Sequence, residues 1–120
     1  MKTVVTGGRD YTLTSEDLDF LSDLAAKLPI TELVTGAASG ADAGAEAWAR
    51  SHGLTVTRVP ADWKRYGRGA GPKRNEQLAT LGEVVIAFPG GKGTLDMVNR
   101  AIYRQLRVYA SPSRLRALGV

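Results

Sequence analysis

One local pattern limits what this chain can fold into: a short apolar strand that runs into a glycine turn and leaves as a helix. It is plainest late in the chain. Residues 84–88 are apolar throughout, Pro89-Gly90-Gly91-Lys92-Gly93-Thr94 follows, and a helical pattern covers 95–105. A helix that starts at such a turn presents unpaired N–H groups and the positive end of its dipole, which together suit an anion. Thr94 adds a hydroxyl and Lys92 a charge.

The pattern occurs twice more. Residues 2–6 form a β-branched run broken by Gly7-Gly8-Arg9-Asp10. Thr14 then reads as an N-cap with Asp17 in the capping-box position, and Leu18, Leu21, Leu24, Ala25 and Leu28 follow at helical spacing up to Pro29. Residues 31–35 form a second strand, followed by Gly36-Ala37-Ala38-Ser39-Gly40-Ala41-Asp42. Ser39 and Asp42 again have capping-box spacing. The next helix is rich in small residues, with Trp48 as its large anchor and Gly53 as its C-cap. A third strand covers 54–59 and stops at Pro60. Residues 61–72 read as a long polar loop with Trp63 and Tyr66, and loops of that length are often functional. A helix from Pro72 or Lys73 ends at Gly82, and a fifth strand covers 106–110. The basic tail 111–120 receives no assignment.

Five strands alternating with helices predict a Rossmann-like three-layer α/β/α sandwich, mainly parallel, made by residues 1–120 as one domain. Ligands of such sheets bind beyond the carboxyl ends of the strands, at the topological switch point. All three glycine turns follow strands, so they are expected to gather on that edge.

Composition narrows the function. The chain has 120 residues, no cysteine and a single histidine, His52. Disulfides and thiolate metal sites are excluded, and no metal or cofactor is expected. No run approaches a membrane span and no N-terminal signal pattern is visible, so the expected setting is the cytoplasm. The net charge of +4 is uneven. Residues 1–56 carry 4 basic and 8 acidic side chains, and residues 57–120 carry 12 and 4, so the second half holds +8. That suits phosphate or nucleic acid, although a solvated basic face would look the same.

Two familiar motifs are absent. Gly91-Lys92-Gly93-Thr94 is not in Walker A order, and no G-x-G-x-x-G follows the first strand, so neither an ATPase nor a dehydrogenase is supported. The candidate phosphate- or ligand-binding residues are Gly7, Gly8, Arg9, Gly36, Gly40, Asp42, Arg74, Asn75, Gly90, Gly91, Lys92, Gly93 and Thr94. Arg74 could fork onto a phosphate, or be a surface arginine balanced by Glu76. Arg9 could do the same, or pair with Asp10. Asp42 reads first as a helix cap and second as a ribose ligand. Trp63 and Tyr66 could stack on a base or pack on the body of the fold.

In order, Val5-Thr6-Gly7-Gly8-Arg9, the turn from Gly36 to Asp42, Ala61-Asp62-Trp63, the stretch from Gly67 to Asn75, and the turn from Pro89 to Thr94 resemble the YspA/YpsA-related branch of the SLOG superfamily. The resemblance covers about residues 3–105 and implies a Rossmann-like fold that binds a nucleotide or nucleotide-derived ligand. It also implies a homo-oligomer, since relatives are commonly dimers or larger. The Lonely Guy relatives cleave the N-glycosidic bond of nucleoside 5′-monophosphates with a P-G-G-x-G-T-x-x-E motif and an arginine from the preceding helix. Here the motif is met from Pro89 to Thr94 and Arg74 resembles the arginine, but the glutamate position holds Met97. Methionine cannot do a carboxylate's task. Asp96 lies about 100° around the helix from it and is expected to point elsewhere.

The leading expectation is therefore binding or sensing of a phosphorylated nucleotide derivative. A nucleotide N-ribohydrolase is the alternative, with Arg74 and a displaced acid, Asp96 or Asp42, as its catalytic candidates. Single-stranded nucleic-acid binding, as in the DprA branch, is the second alternative. On the last helix, Leu95, Val98, Ala101 and Ile102 are expected to form one side, which leaves Met97 and Tyr103 to extend the core or make a subunit contact.

Overall fold

A computed structural model describes all residues, 1–120. The strands are β1 (Lys2–Thr6), β2 (Glu32–Thr35), β3 (Thr55–Arg58), β4 (Val84–Ala87) and β5 (Arg107–Ala110). The helices are α1 (Ser15–Lys27), α2 (Ala41–Ser51), α3 (Trp63–Tyr66), α4 (Ala70–Leu81), α5 (Lys92–Tyr103) and α6 (Pro112–Ala117), with a 3-10 turn at Gly67–Gly69. The strands make one parallel sheet in the order β3-β2-β1-β4-β5. The chain leaves β1 toward one edge and β4 toward the other, so the switch point lies between them.

Alternation along the central strands sorts the core into two layers. Val5, Leu33 and Ile86 meet Leu21, Leu24, Ala41, Ala45 and Trp48 of α1 and α2 on one face. Val4, Val34 and Val85 meet Leu78, Ala79, Met97 and Ala101 of α4 and α5 on the other. The fold is the expected Rossmann-like α/β sandwich. The α1 capping box forms as read: Thr14 Oγ1 accepts from the Asp17 amide at 3.2 Å, and Asp17 Oδ2 accepts from the Thr14 amide at 2.9 Å.

Three local expectations change, and the unassigned tail is seen to be helical. Residues 61–72 are mostly helical: Asp62 caps α3, and α4 begins at Ala70, before Pro72. Proline is tolerated in a first turn because its missing N–H has no partner there anyway. The tail forms α6, with Ser111 as N-cap and Pro112 at its start. On α5 the buried face is Thr94, Met97 and Ala101, while Leu95, Ile102 and Tyr103 are exposed. Lastly, Ser39 does not cap α2. The N-cap is Gly40, Ser39 Oγ donates to the Arg9 carbonyl, and Asp42 accepts from the Ala38 amide at 3.2 Å.

Candidate functional site

The three glycine turns meet at Gly8. Its amide donates to the Pro89 carbonyl at 2.8 Å, and its carbonyl accepts from the Ala41 amide at 3.1 Å and the Tyr11 amide at 3.2 Å. One residue thus ties the loop after β1 to the turns before α5 and α2. Close approach demands the small residues. A Cβ at Gly7 would stand 2.5 Å from Ala41 Cβ, and one at Gly90 would stand 2.8 Å from the Gly8 nitrogen.

Beside this hub lies a cavity of about 910 Å³, close to the upper end for small-molecule sites. Of the candidates, Gly7, Gly8, Arg9, Asp42, Arg74, Asn75, Asp96 and the run from Gly90 to Thr94 line it. Gly36 and Gly40 do not. Gly36 lies under Arg74, where a Cβ would collide with the guanidinium. Gly40 has φ +71° and lies against the Gly8 and Arg9 carbonyls, which leaves no room for a side chain. These two glycines shape the wall from behind.

The α5 turn forms the open end of the site. Leu95 is the first amide of the helix to find a carbonyl, that of Gly91 at 3.1 Å. The N–H groups of Gly91, Lys92, Gly93 and Thr94 have no partner in the chain, and Gly91 offers no side-chain cap. Behind the turn, Arg114 of α6 donates to the Phe88 carbonyl at 3.2 Å. The tail therefore supports the turn from outside the cavity. Its anchor is the buried Asp17, which accepts from Ser113 at 2.6 Å and from Tyr11, a cavity-lining residue, at 2.5 Å. The Ser-Pro pair at 111–112 is the sequence signal for this helix. No sequence signal marks Tyr11.

Arg74 and Asn75 act as a unit. Arg74 donates through Nη1 to the Gly36 carbonyl at 2.6 Å and through Nε to Asn75 Oδ1 at 3.1 Å. Asn75 is buried and its amide donates to the Gly93 carbonyl at 3.2 Å and Asp96 Oδ2 at 2.9 Å. The amide of Asn75 is thus committed internally, and it fixes the plane of the guanidinium against the first turn of α5. Glu76 does not balance Arg74, since it pairs with Arg100 and Arg104. Nor does Arg9 pair with Asp10: its guanidinium lies over the Trp63 ring, 5.0 Å from the centroid. Arg9, Arg74 and Lys92 all line the cavity, and none forms an ion pair.

Burial lowers the proton affinity of Arg74; Asp42 opposes this and Arg9 adds to it. Two guanidinium groups that repel across a cavity are a feature an anion would relieve. Burial also raises the Asp42 carboxyl above its ordinary value, and the Ala38 amide and the Arg74 charge offset this only in part. Asp96, contrary to expectation, reaches the cavity wall. Burial raises its carboxyl, but hydrogen bonds from Arg100 at 2.9 Å and from Asn75 outweigh that and hold it below its ordinary value. Met97 is fully buried among Val4, Val85 and Leu78 and does not touch the cavity.

The profile of the YspA, cpYpsA-related SLOG family matches residues 1–66, more than half of the chain. The chain belongs to that family. No curated protein matches it. Among solved structures, this SLOG chain is similar to DNA processing protein A (DprA) from Streptococcus pneumoniae, at 21% identity and a TM-score of 0.71, covering 98% of this chain and 56% of that one. It is also similar to TM1055, at 19% identity and a TM-score of 0.63, covering 89% of this chain and 71% of that one. At these identities the likeness is one of fold. The chain spans little more than half the length of the DprA chain. No helix is long and apolar enough to cross a membrane.

Proposed function

We propose that this cavity binds a nucleotide or a nucleotide-derived phosphorylated ligand, and that the protein acts as a binder or sensor of it. The observation that carries the reading is the α5 turn, whose four unpaired amides open on a cavity lined by three cations without ion-pair partners. The amides of Gly91, Lys92, Gly93 and Thr94 would hold a phosphate, with the Thr94 hydroxyl beside them. Arg74, oriented by Asn75, would supply a charge-assisted pair of hydrogen bonds, and Arg9 and Lys92 further charge. Asp42, on the wall at the α2 turn, would face the sugar. Family membership supports a nucleotide-related ligand. AMP-like, ADP-ribose-like and cyclic nucleotides all carry the required phosphate.

A hydrolase is the second reading, and Asp42 favours it: a buried wall carboxyl that holds its proton above the ordinary range can serve as a general acid. Against it stands Met97, which puts a core side chain where the related hydrolases have a glutamate. A single-stranded nucleic-acid partner is the third. The exposed aromatics Trp63 and Tyr66 carry Arg9, Arg65 and Lys73 over their rings, and the fold neighbour DprA is a DNA processing protein.

Titration calorimetry with AMP, ADP-ribose and inorganic phosphate tests the first reading, which fails if a folded sample gives no saturable heat with any of them. Free base released from nucleoside 5′-monophosphates, and lost in Arg74→Met, would establish the second. Affinity for an oligonucleotide that falls steeply with added salt would establish the third.

A further inference from the structure

Trp63 is out of place for a core residue. It is 47% exposed, it stands at the start of the four-residue α3, and it lines the cavity at the end contributed by α3 and α4. Its ring is nevertheless held in position. The Cη2 edge lies against Gly71, where a Cβ would stand 3.3 Å away, so a side chain there would press on the indole and glycine lets it rest close to α4. One face of the ring carries the Arg9 guanidinium. Asp62, the residue before it, caps α3 by accepting from the Arg65 amide at 3.1 Å, which fixes the backbone that bears the indole.

An aromatic platform held beside a phosphate cradle has a clear use. Indoles and guanidinium groups are attracted to each other, but a flat base with its own π-face can take the guanidinium's place on the ring. Arg9 is free to move: it is exposed, and nothing holds its charge except the ring. The cradle at α5 attracts anions and so does Arg9. A ligand with a phosphate at one end and a base at the other would draw Arg9 toward its charge and leave the indole face to its base.

Resting on the nucleotide reading above, we propose that Trp63 is the stacking platform for the ligand's nucleobase and that Arg9 covers this platform until the phosphate recruits it. The ligand class is thereby narrowed to base-bearing nucleotides rather than sugar phosphates. Stacking is tolerant of base identity, so Trp63 would select for a base without selecting which one.

The test uses the whole chain and four probes: AMP, ribose 5-phosphate, adenosine and inorganic phosphate. In the native protein AMP is expected to bind about tenfold to hundredfold more tightly than ribose 5-phosphate, the scale of one base–aromatic stack. Trp63→Ala should abolish that gap by weakening AMP alone, and Trp63→Phe should keep most of it, which guards against a mere folding defect. Arg9→Ala should weaken AMP and ribose 5-phosphate but strengthen adenosine, because the platform no longer has to be cleared. Equal binding of AMP and ribose 5-phosphate to the native chain would overturn the proposal and leave the phosphate reading intact. So would a Trp63→Ala chain that weakens both equally, or an Arg9→Ala chain that weakens adenosine. If none of the four probes binds and ADP-ribose gives no saturable heat either, the nucleotide reading itself fails, and this proposal with it.

Discussion

Two glycine turns of this chain look alike in sequence and take different places in the fold. Both follow a buried strand and start a helix. In the turn from Gly36 to Gly40 several polar groups are used internally, while the Ser39 and Gly40 amides have no partner and their residues do not line the cavity. Ala37 donates to Thr35 Oγ1, Ala38 donates to Asp42, and Gly36 accepts from Arg74. At its end the Ala41 amide is taken by Gly8. In the turn from Gly90 to Thr94 all five amides are without a partner in the chain, and all five residues line the cavity. Residues Gly90 to Gly93 are exposed, so these N–H groups are open to solvent and to anything that enters the cavity. Glycine content does not separate the two turns; whether the unpaired N–H groups belong to residues that line the cavity does.

The comparison can be broken by substitution. The largest effects belong to sites with no slack. Gly40→Ala would force a side chain into φ +71° within 2.4 Å of two carbonyl oxygens, and is expected to cost about 3 kcal/mol or more of stability in urea unfolding. Met97→Glu, which would restore the relatives' carboxylate, is expected to cost as much, since it buries a charge in a wholly apolar layer under the open turn. A stable Met97→Glu chain would mean that the α5 face is less closed than described. By contrast, Gly93→Ala meets no atom within 4 Å and sits in a helix. It should leave stability unchanged or raise it by up to about 1 kcal/mol, while crowding the cradle and weakening nucleotide binding. Gly93→Ala and Gly40→Ala having equal effects on stability would erase the distinction between the turns.

The middle effect lies at the link between them. Arg74→Met removes the bond to the Gly36 carbonyl, a loss of about 1 kcal/mol in stability. It should reduce phosphate-ligand affinity by about 2 kcal/mol, because the charged contact goes as well. Calorimetry and unfolding on the same variant separate the two.

A smaller and pH-dependent effect concerns Asp42. Its carboxyl is raised above the ordinary 3.8 in the folded chain, mainly by burial. The folded state then holds this proton to higher pH than the unfolded state, so the stability it contributes is full below 3.8 and declines as pH rises through the folded value. Asp42→Asn keeps an acceptor for Ala38 and cannot ionise. Its stability relative to the native chain should therefore improve from acid to neutral pH, and unfolding curves at the two extremes decide it. The smallest effect is expected at Ile102→Glu on the exposed face of α5, within about 0.5 kcal/mol for an isolated chain. Light scattering on the same pair of samples sharpens the matter: a native mass above one chain that falls in the variant would make this face the subunit contact.

How far could the sequence be read? The alternation of strands and helices, the α1 capping box and the gathering of three turns on one edge follow from local rules, and they hold. What failed depended on partners distant in sequence. Leu95, Val98 and Ile102 have as good a helical spacing as Thr94, Met97 and Ala101, and only the sheet beneath decides which stripe is buried. Ser39 has the right offset for a capping box, but the positive φ of Gly40 and the pull of the Arg9 carbonyl turn its hydroxyl away. Residues 61–72 hide their helices behind glycines and a proline. At the site, the gathering of the turns was legible, but that Gly36 and Gly40 stand behind the wall, and that Asn75 holds Arg74 with its amide, was not. The place of Gly36 follows from Arg74 reaching across 38 positions to its carbonyl, and that of Gly40 from the Gly8 and Arg9 carbonyls packed against it.

The backbone of Gly8, shared among three loops, has a consequence for the kinetics of capture. Loops that must be ordered on binding cost free energy at the moment of association and slow it. Here the rim is cross-linked before any ligand arrives, and only exposed side chains such as Arg9 have still to choose a position. Association should therefore be limited by encounter and by electrostatic attraction to the cationic rim, and differences in affinity among ligands should lie in how slowly each one leaves.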